Sequence, residues 1–188
     1  MKTKLLALIF SLLVVASVEA QCNHCCGGKT CGLYVSGMAG VNLQIKNRHL
    51  AYPGAGVGAS LGYKFSNGFR CEAEYAFRYN RTKSISGFGY QTDAKIQSCL
   101  GNLIYDIDWY RGWIPYIGGG AGYAKTTTVY RTPLLGYKTH KERFAFQFLG
   151  GISYRVMYNT DLGVEVRWLR CHGNQANATV ALALKRFF

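Results

Sequence analysis

The charged side chains of residues 69–80, FRCEAEYAFRYN, all lie at even-numbered positions. The charges of this stretch are Arg70, Glu72, Glu74 and Arg78, and mostly aromatic or small apolar residues occupy the alternate positions. A period of two is typical of a β-strand with two unlike faces. Guanidinium and carboxylate groups gathered on one face could form an ion-pair network, line a polar pore or act as a gate.

The same alternation places further charges on the polar faces of other segments. The complete set is Lys64, Arg70, Glu72, Glu74, Arg78, Arg155, Glu165, Arg167 and Lys185. If this face surrounds a narrow interior, the charges must be paired and hydrogen-bonded, because an unpaired buried charge is costly. Cations outnumber carboxylates in the set, so we expect water or a further partner such as Asp106 to contribute. The network would then plug the interior, and the alternative is a conducting pore.

A second group of reactive side chains lies in residues 21–31, QCNHCCGGKTC. In an oxidising compartment Cys22, Cys25, Cys26 and Cys31 are candidates for disulfide bonds or for pairing with another chain. Thiolates and His24 could also bind a soft metal ion, but the spacing is not a recognised zinc pattern. The sequence therefore predicts possible disulfides here and no metal, cofactor or catalytic site.

Eight segments of the sequence alternate between apolar and polar residues. As strands, they would position the charged side chains on one face. They are residues 32–44, 53–65, 69–80, 93–107, 113–125, 144–156, 162–170 and 177–188. Each is near the roughly 9–11 residues that a tilted strand needs to cross a bilayer. Aromatic residues cluster near the segment ends, where the girdles of membrane barrels lie. We predict an all-β fold, an eight-stranded antiparallel up-and-down transmembrane β-barrel; the alternative is a soluble lipocalin-like barrel with an apolar interior.

The connectors between these segments alternate in length. Short ones are residues 66–68, 108–112 and 157–160, whereas residues 45–52, 81–92, 126–143 and 171–176 are mostly longer and polar or basic. Short turns at one end and long loops at the other are typical of a bacterial outer-membrane barrel. The basic residues predicted in the loops include Lys46, Arg48, Arg81, Lys83, Arg131, Lys138, Lys141 and Arg143. They could bind anionic host-surface glycans or lipopolysaccharide phosphates, or compensate those phosphates nonspecifically.

The first residues, MKTKLLALIFSLLVVASVEA, have the basic start, apolar stretch and small-residue end of a signal peptide cleaved after Ala20. We therefore divide the chain into a signal peptide (residues 1–20), a Cys-rich periplasmic tail (residues 21–31) and an outer-membrane barrel (residues 32–188). The formal net charge is +13. Because the chain is exported and has no nucleic-acid-binding motif, we expect anionic lipids or glycans as partners, and no nucleic acid.

Several stretches match a known pattern. Residues 31–37, CGLYVSG, residues 114–124, IPYIGGGAGYA, and Asn102 followed by residues 105–107, YDI, resemble strands of small outer-membrane barrels. The group in question is the opacity-protein and OmpA-like group, which includes a bacterial surface-antigen branch. Phe188 is similar to the group's C-terminal aromatic residue, which the barrel-assembly machinery recognises. The Cys-rich tail and Arg186, which replaces an expected apolar residue, depart from the group's pattern.

The resemblance implies an eight-stranded barrel with variable outer loops, and we predict that the protein is not an enzyme. Members of the group are surface antigens, adhesins, structural anchors or minor porins. We therefore predict a surface antigen or adhesin, or an envelope-stabilising protein, and keep a small porin-like channel as the alternative. A lipid-modifying enzyme is disfavoured, because a lipid A deacylase of this size has a Ser two residues after its His. Here Asn174 stands two residues after His172.

Overall fold

The computed structural model describes residues 31–46, 49–50, 53–83, 91–107, 109–131, 136–171 and 175–188. Eight long strands run through them: β1 (Gly32–Lys46), β2 (Gly54–Lys64), β3 (Phe69–Lys83), β4 (Gln91–Asp106), β5 (Trp113–Arg131), β6 (Gly136–Met157), β7 (Thr160–Cys171) and β8 (Gln175–Phe187). A two-residue strand, His49–Leu50, pairs with the end of β1, and a 3-10 turn, Tyr110–Gly112, precedes β5.

Each long strand pairs antiparallel with the next, and β8 returns to pair with β1. The closing ladder runs from Tyr34 opposite Phe187 to Lys46 opposite Gln175. The eight strands therefore form a closed up-and-down barrel, which confirms the predicted fold. Closure gives every long strand a partner on both sides within the closed part of the barrel, as a strand in a hydrocarbon environment requires.

The two faces of the barrel have opposite character. Side chains on the outer face are apolar and exposed, for example Leu61 at 52%, Phe148 at 68% and Leu182 at 62%. Inward-facing positions are rich in buried Ser, Asn, Gln, Arg, Lys and Glu. A soluble barrel has the reverse arrangement, so the lipocalin-like alternative is wrong. No helix among the described residues is long and apolar enough to cross a membrane.

The barrel has a turn end and a loop end. Residues 65–68, 107–112 and 158–159 connect strands at the turn end, where both chain termini of the barrel also lie. At the loop end, β1, β3, β5 and β7 end and β2, β4, β6 and β8 begin. Exposed aromatic side chains gather at both levels, such as Phe69 and Trp113 near the turn end and Tyr123 and Phe144 near the loop end.

Strands extend further at the loop end than the alternation predicts. Most of the predicted loop 126–143 is strand, because β5 and β6 remain paired up to Arg131 opposite Gly136. The predicted loop 81–92 is shortened in the same way, since β3 and β4 pair up to Lys83 opposite Gln91. Thr, Val and Tyr in residues 126–131 favour strand, and this local preference continues the hairpin after the apolar alternation stops.

Candidate functional site

The charges of the predicted polar faces lie inside the barrel. Those that are buried are Lys64, Arg70, Glu72, Glu74, Arg78, Glu165, Arg167 and Lys185. Arg155 lies near the turn end and keeps 27% of its side chain exposed, with its Nε 3.3 Å from Asp161 Oδ1. These groups are brought together because strand alternation directs every second side chain into one narrow lumen.

Glu74 is the centre of the middle layer of the lumen. Its Oε2 accepts hydrogen bonds from Asn102 Nδ2 at 2.6 Å and from Gln147 Nε2 at 2.7 Å. Arg167 Nη1 donates to the same oxygen and forms an ion pair with it. The four residues belong to β3, β4, β6 and β7, so this single carboxylate joins strands from different sides of the barrel.

Arg78 forms a second junction beside Glu74. Its Nη1 donates to Ser98 Oγ at 2.8 Å, its Nη2 to Gln147 Oε1 at 3.1 Å and its Nε to Thr179 Oγ1 at 3.3 Å. Nη2 also lies 3.8 Å from Glu74 Oε1. We call Glu74, Arg78, Gln147, Arg167 and Thr179 the central belt. Its contacts run from β3 to β6, β7 and β8 across the lumen.

A separate cluster lies nearer the turn end, around Arg70. Its Nε donates to Asp106 Oδ1 at 2.8 Å, and Lys64 Nζ lies 2.7 Å from Asp106 Oδ2. Arg70 Nη1 also donates to Glu72 Oε1 at 3.2 Å. The hydroxyl of Tyr34 donates to that same Glu72 oxygen. Asp106 thus supplies the additional carboxylate that the excess of cations predicted.

Tyr116 links this cluster to the central belt. Its hydroxyl donates to Glu165 Oε2 at 3.0 Å, and Arg167 Nε donates to Glu165 Oε1 at 2.6 Å. The ring of Tyr116 lies 5.0 Å from the Arg70 guanidinium carbon and 3.9 Å from Lys185 Nζ. The aromatic face therefore offers the buried Lys185 a cation–π contact, which partly replaces the water lost on burial.

Two partners of the network were not identified from the sequence. Asp161 lies one residue before the predicted start of its strand, although it shares the alternation of Glu165 and Arg167. Tyr116 lies in residues 114–124, which resemble a strand of small outer-membrane barrels, and its buried position opposite Gly151 follows from the same alternation. With Asp106 and Asp161 included, the lumen holds a nearly balanced set of cations and carboxylates.

A protein-family model and several solved structures match the chain. The model described as "Outer membrane protein beta-barrel domain" matches residues 8–182. The chain belongs to this family of outer-membrane barrels. Membership indicates the outer membrane of a bacterium as its location and confirms the resemblance found in the strand motifs. No curated protein sequence matches this outer-membrane barrel significantly.

Solved structures of three bacterial proteins share the fold of this outer-membrane barrel. Neisserial surface protein A is 21% identical with a TM-score of 0.69, and the match covers 85% of this chain and 100% of that one. The attachment invasion locus protein Ail of Yersinia pestis, solved with the heparin analogue sucrose octasulfate, is 12% identical with a TM-score of 0.63; coverage is 85% and 100%. OprG of Pseudomonas aeruginosa is 13% identical with a TM-score of 0.57; coverage is 87% and 100%.

The described cysteines of this outer-membrane barrel are distributed over different surfaces. Cys71 and Cys99 are exposed on the outer face, opposite Leu103 and Tyr75 respectively, so they do not face each other. Cys171 was expected in a loop, but it is the last residue of β7 and is buried facing the lumen. Cys22, Cys25 and Cys26 lie outside the described residues, as does the signal peptide, and their predicted roles stay predictions.

The basic residues predicted in the loops are described only in part. Lys141 is exposed and Arg143 is half-buried, and both lie on β6. Arg48 lies outside the described residues, and so do the side chains of Lys46, Arg81, Lys83, Arg131 and Lys138. Among the residues that the structure describes, no group of three or more His, Cys, Asp or Glu side chains could hold a metal ion.

Phe188, the predicted recognition residue for barrel assembly, follows β8 directly. Its backbone N–H donates to the carbonyl oxygen of Leu33 at 3.0 Å, so the last residue continues the closing β1–β8 contact. Phe187 points into the lumen instead, and its ring centroid lies 5.1 Å from that of Tyr34. Recognition of Phe188 by the assembly machinery stays a prediction.

Proposed function

We propose that this outer-membrane barrel is a non-conducting surface protein whose loop end faces the outside and binds sulfate or phosphate groups on saccharides. Two sources have this chemistry: sulfated host-surface glycans, which would make it an adhesin, and lipopolysaccharide, which would make it an envelope-stabilising protein. The proposal includes no catalytic step.

The observation that carries the binding proposal is a surplus of cations at the loop end. Outside the central belt, the described side chains of this end include the cations Lys95, Lys125, Lys141, Arg143 and Arg170. Only Asp93 and Glu142 oppose them in the same described part of the chain. Lys95 and Arg170 are exposed on the outer face of the barrel, near the aromatic residues that would lie at the membrane interface.

The placement of these cations suits anionic groups at a membrane surface. Lys95 Nζ lies 5.9 Å from the ring centroid of Tyr79, and Lys125 Nζ lies 3.0 Å from Glu142 Oε1. Lys141 is exposed without a carboxylate within 4.0 Å among the described residues. Exposed cations of this kind attract sulfates and phosphates over a distance of about 10 Å at moderate salt. The Ail structure, which holds a heparin analogue, supports this choice of ligand by analogy of fold.

Binding of saccharide sulfates or phosphates is tested with the purified, refolded chain and two ligands, heparin and lipopolysaccharide. We expect Lys95→Gln with Lys141→Gln to lower the salt concentration that elutes the protein from heparin or weaken its binding to lipopolysaccharide micelles. The matched control is Arg111→Gln with Arg186→Gln, which removes two exposed cations near the turn end. If the double variant loses affinity only for heparin, the result supports adhesion. If it loses affinity only for lipopolysaccharide, the result supports envelope stabilisation. Equal binding by both variants would contradict the proposal.

The non-conducting state is proposed because the central belt joins opposite walls of the lumen by direct side-chain contacts. An eight-stranded barrel has an interior just wide enough to be filled by side chains. We therefore expect the refolded protein to form no stable ion-sized channels in planar lipid bilayers. Reproducible single-channel steps would contradict this part of the proposal and favour the porin-like alternative.

A further inference from the structure

From the central belt to the turn end, the described residues give the lumen one more cation than carboxylates. The carboxylates there, Glu72, Glu74, Asp106, Asp161 and Glu165, each have a guanidinium or ammonium nitrogen within 4.0 Å. The cations are Lys64, Arg70, Arg78, Arg155, Arg167 and Lys185. Because a buried charge is costly without a partner of opposite sign, the surplus cation marks a place where the lumen could take up an anion.

Lys185 is the surplus cation. It is buried, with 4% of its surface exposed, and among the described residues its Nζ has no carboxylate within 4.0 Å. Asp161 lies opposite Lys185 in the ladder between β7 and β8, but its carboxylate pairs with Arg155. The contact that Nζ does make is with the ring of Tyr116, whose centroid lies 3.9 Å away. A cation–π contact gives only part of the stabilisation that a buried ammonium needs.

Arg70 supplies a second set of donors at the same place. Its Nε and Nη1 donate to Asp106 Oδ1 and Glu72 Oε1, but its Nη2 has no hydrogen-bond partner in the described part of the chain, although the residue is only 1% exposed. Its guanidinium carbon lies 5.0 Å from the centroid of the Tyr116 ring that Lys185 contacts. Among the charged groups that act on Lys185, Arg70 has the largest electrostatic effect, so the two cations lie close together.

We propose that the lumen binds a small monovalent anion, chloride, between Arg70 Nη2 and Lys185 Nζ. We call this place the anion site. Chloride only accepts hydrogen bonds, and both nitrogens only donate them. The anion would satisfy the buried Nη2 and would balance the surplus positive charge. A water molecule could accept the same hydrogen bonds, but it would leave Lys185 without a counter-charge.

The surroundings of the anion site favour a small ion. The ring centroids of Tyr34 and Tyr116 lie 5.6 and 5.0 Å from the guanidinium carbon of Arg70, and the ring centroid of Phe187 lies 5.1 Å from that of Tyr34. All three aromatic side chains are buried in an interior that is just wide enough to be filled by side chains. A sulfated saccharide does not fit such a space, so the anion site is independent of the saccharide binding proposed for the loop end.

The test measures urea unfolding of the refolded parent in lipid vesicles at several chloride concentrations. Gluconate, which is much larger than chloride, replaces it so that the ionic strength stays constant. A ligand that binds only the folded state stabilises it by mass action. Once chloride exceeds its dissociation constant, each tenfold increase should therefore raise the ratio of folded to unfolded protein about tenfold.

Lys185→Met removes the surplus cation and nearly keeps the length of the side chain. It should abolish the chloride dependence and be at least as stable as the parent in gluconate, because no unpaired charge remains. The matched control is Arg186→Met, which removes an exposed cation from the next residue of β8 and should respond to chloride as the parent does. An equal response of Lys185→Met and the parent would overturn the proposal. So would a parent that does not respond, as expected if Lys185 is uncharged or only hydrated.

Bromide locates the anion directly, because it resembles chloride and scatters X-rays anomalously. Crystals of the parent grown in bromide should show an anomalous peak within hydrogen-bonding distance of both Arg70 Nη2 and Lys185 Nζ. Bromide peaks at the protein surface alone would contradict the anion site, whatever the stability of Lys185→Met. None of these results depends on heparin or lipopolysaccharide binding.

Discussion

Glu74 on β3 and Arg167 on β7 form a buried ion pair between opposite walls of the barrel. The pair is not isolated, because Asn102 and Gln147 also donate to the same Glu74 oxygen and Arg167 donates to Glu165. These contacts offset much of the cost of burying the charges in such an interior. The lumen is therefore a cooperative polar core, in which each side chain depends on several strands.

Replacing Arg167 should destabilise the barrel strongly. Arg167→Met leaves Glu74 and Glu165 buried without their shared cation, and breaking a buried pair in this way costs about 3–5 kcal/mol. Urea unfolding in lipid vesicles, followed by tryptophan fluorescence, measures the free energy of unfolding.

The matched control is Arg170→Met on the outward face of the same strand. A change at such an exposed position is usually worth within about 0.5 kcal/mol. The double variant Glu74→Gln with Arg167→Met should regain part of the loss, because it removes one of the unpaired carboxylates. Equal unfolding free energies for Arg167→Met and Arg170→Met would contradict the assigned ion pairs.

The hydroxyl of Tyr34 should contribute measurably to stability at the turn end. Tyr34→Phe removes the donor to Glu72, and a hydrogen bond to a charged group is worth about 1.5–3 kcal/mol. The control is Tyr63→Phe, since Tyr63 is on the outer face with 43% of its surface exposed. The same urea titration checks both variants, and a smaller loss for Tyr34→Phe than for Tyr63→Phe would refute the contact.

Gly62 should be intolerant even of alanine. A Cβ at this position would lie 2.5 Å from Tyr34 Cζ and 2.8 Å from the Cys71 carbonyl oxygen, so side chain and backbone would both have to move. Overpacking of this kind costs about 1–3 kcal/mol. Gly37→Ala is the control, because nothing lies within 4 Å of its Cβ position. Thermal unfolding of the two variants should differ clearly, and equal melting temperatures would contradict the close approach.

Strand alternation, together with the alternating connector lengths and the family resemblance, was sufficient to predict the barrel fold, but it did not identify Asp161 or Tyr116 as partners in the lumen. With a period of two, either the even-numbered or the odd-numbered side chains of a strand face the lumen, and in residues 69–80 Glu72 and Arg78 belong to the same set. Because the alternate side chains are mostly apolar and face outward, Glu72 and Arg78 face the lumen. Cys171 shows the limit of this reasoning: its strand continues past the last clear apolar position, so the residue was assigned to a loop.

Contacts across the lumen could not be read from the sequence. The pairing of Glu74 with Arg167 depends on the closure of the sheet and on the stagger between strands, and neither is encoded in a local pattern. The extension of β6 over residues 136–144, beyond its last pair with β7, was missed because the basic residues of this stretch were interpreted as those of a loop.

The register between β3 and β4 predicts which cysteines can be joined. Cys71 lies directly opposite Leu103, whereas Cys99 lies opposite Tyr75, four positions away along β3. Four residues of strand span about 13 Å, and a disulfide needs Cα atoms within about 7 Å. A mild oxidant should therefore not join Cys71 to Cys99, but should join Cys71 to a cysteine introduced by Leu103→Cys with Cys99→Ser. Mass spectrometry of peptides from the oxidised, refolded protein measures both cross-links. Efficient joining of Cys71 to Cys99 would show that the hairpin has a different register, and the lumen contacts of Glu72 and Glu74 would then have to be reassigned.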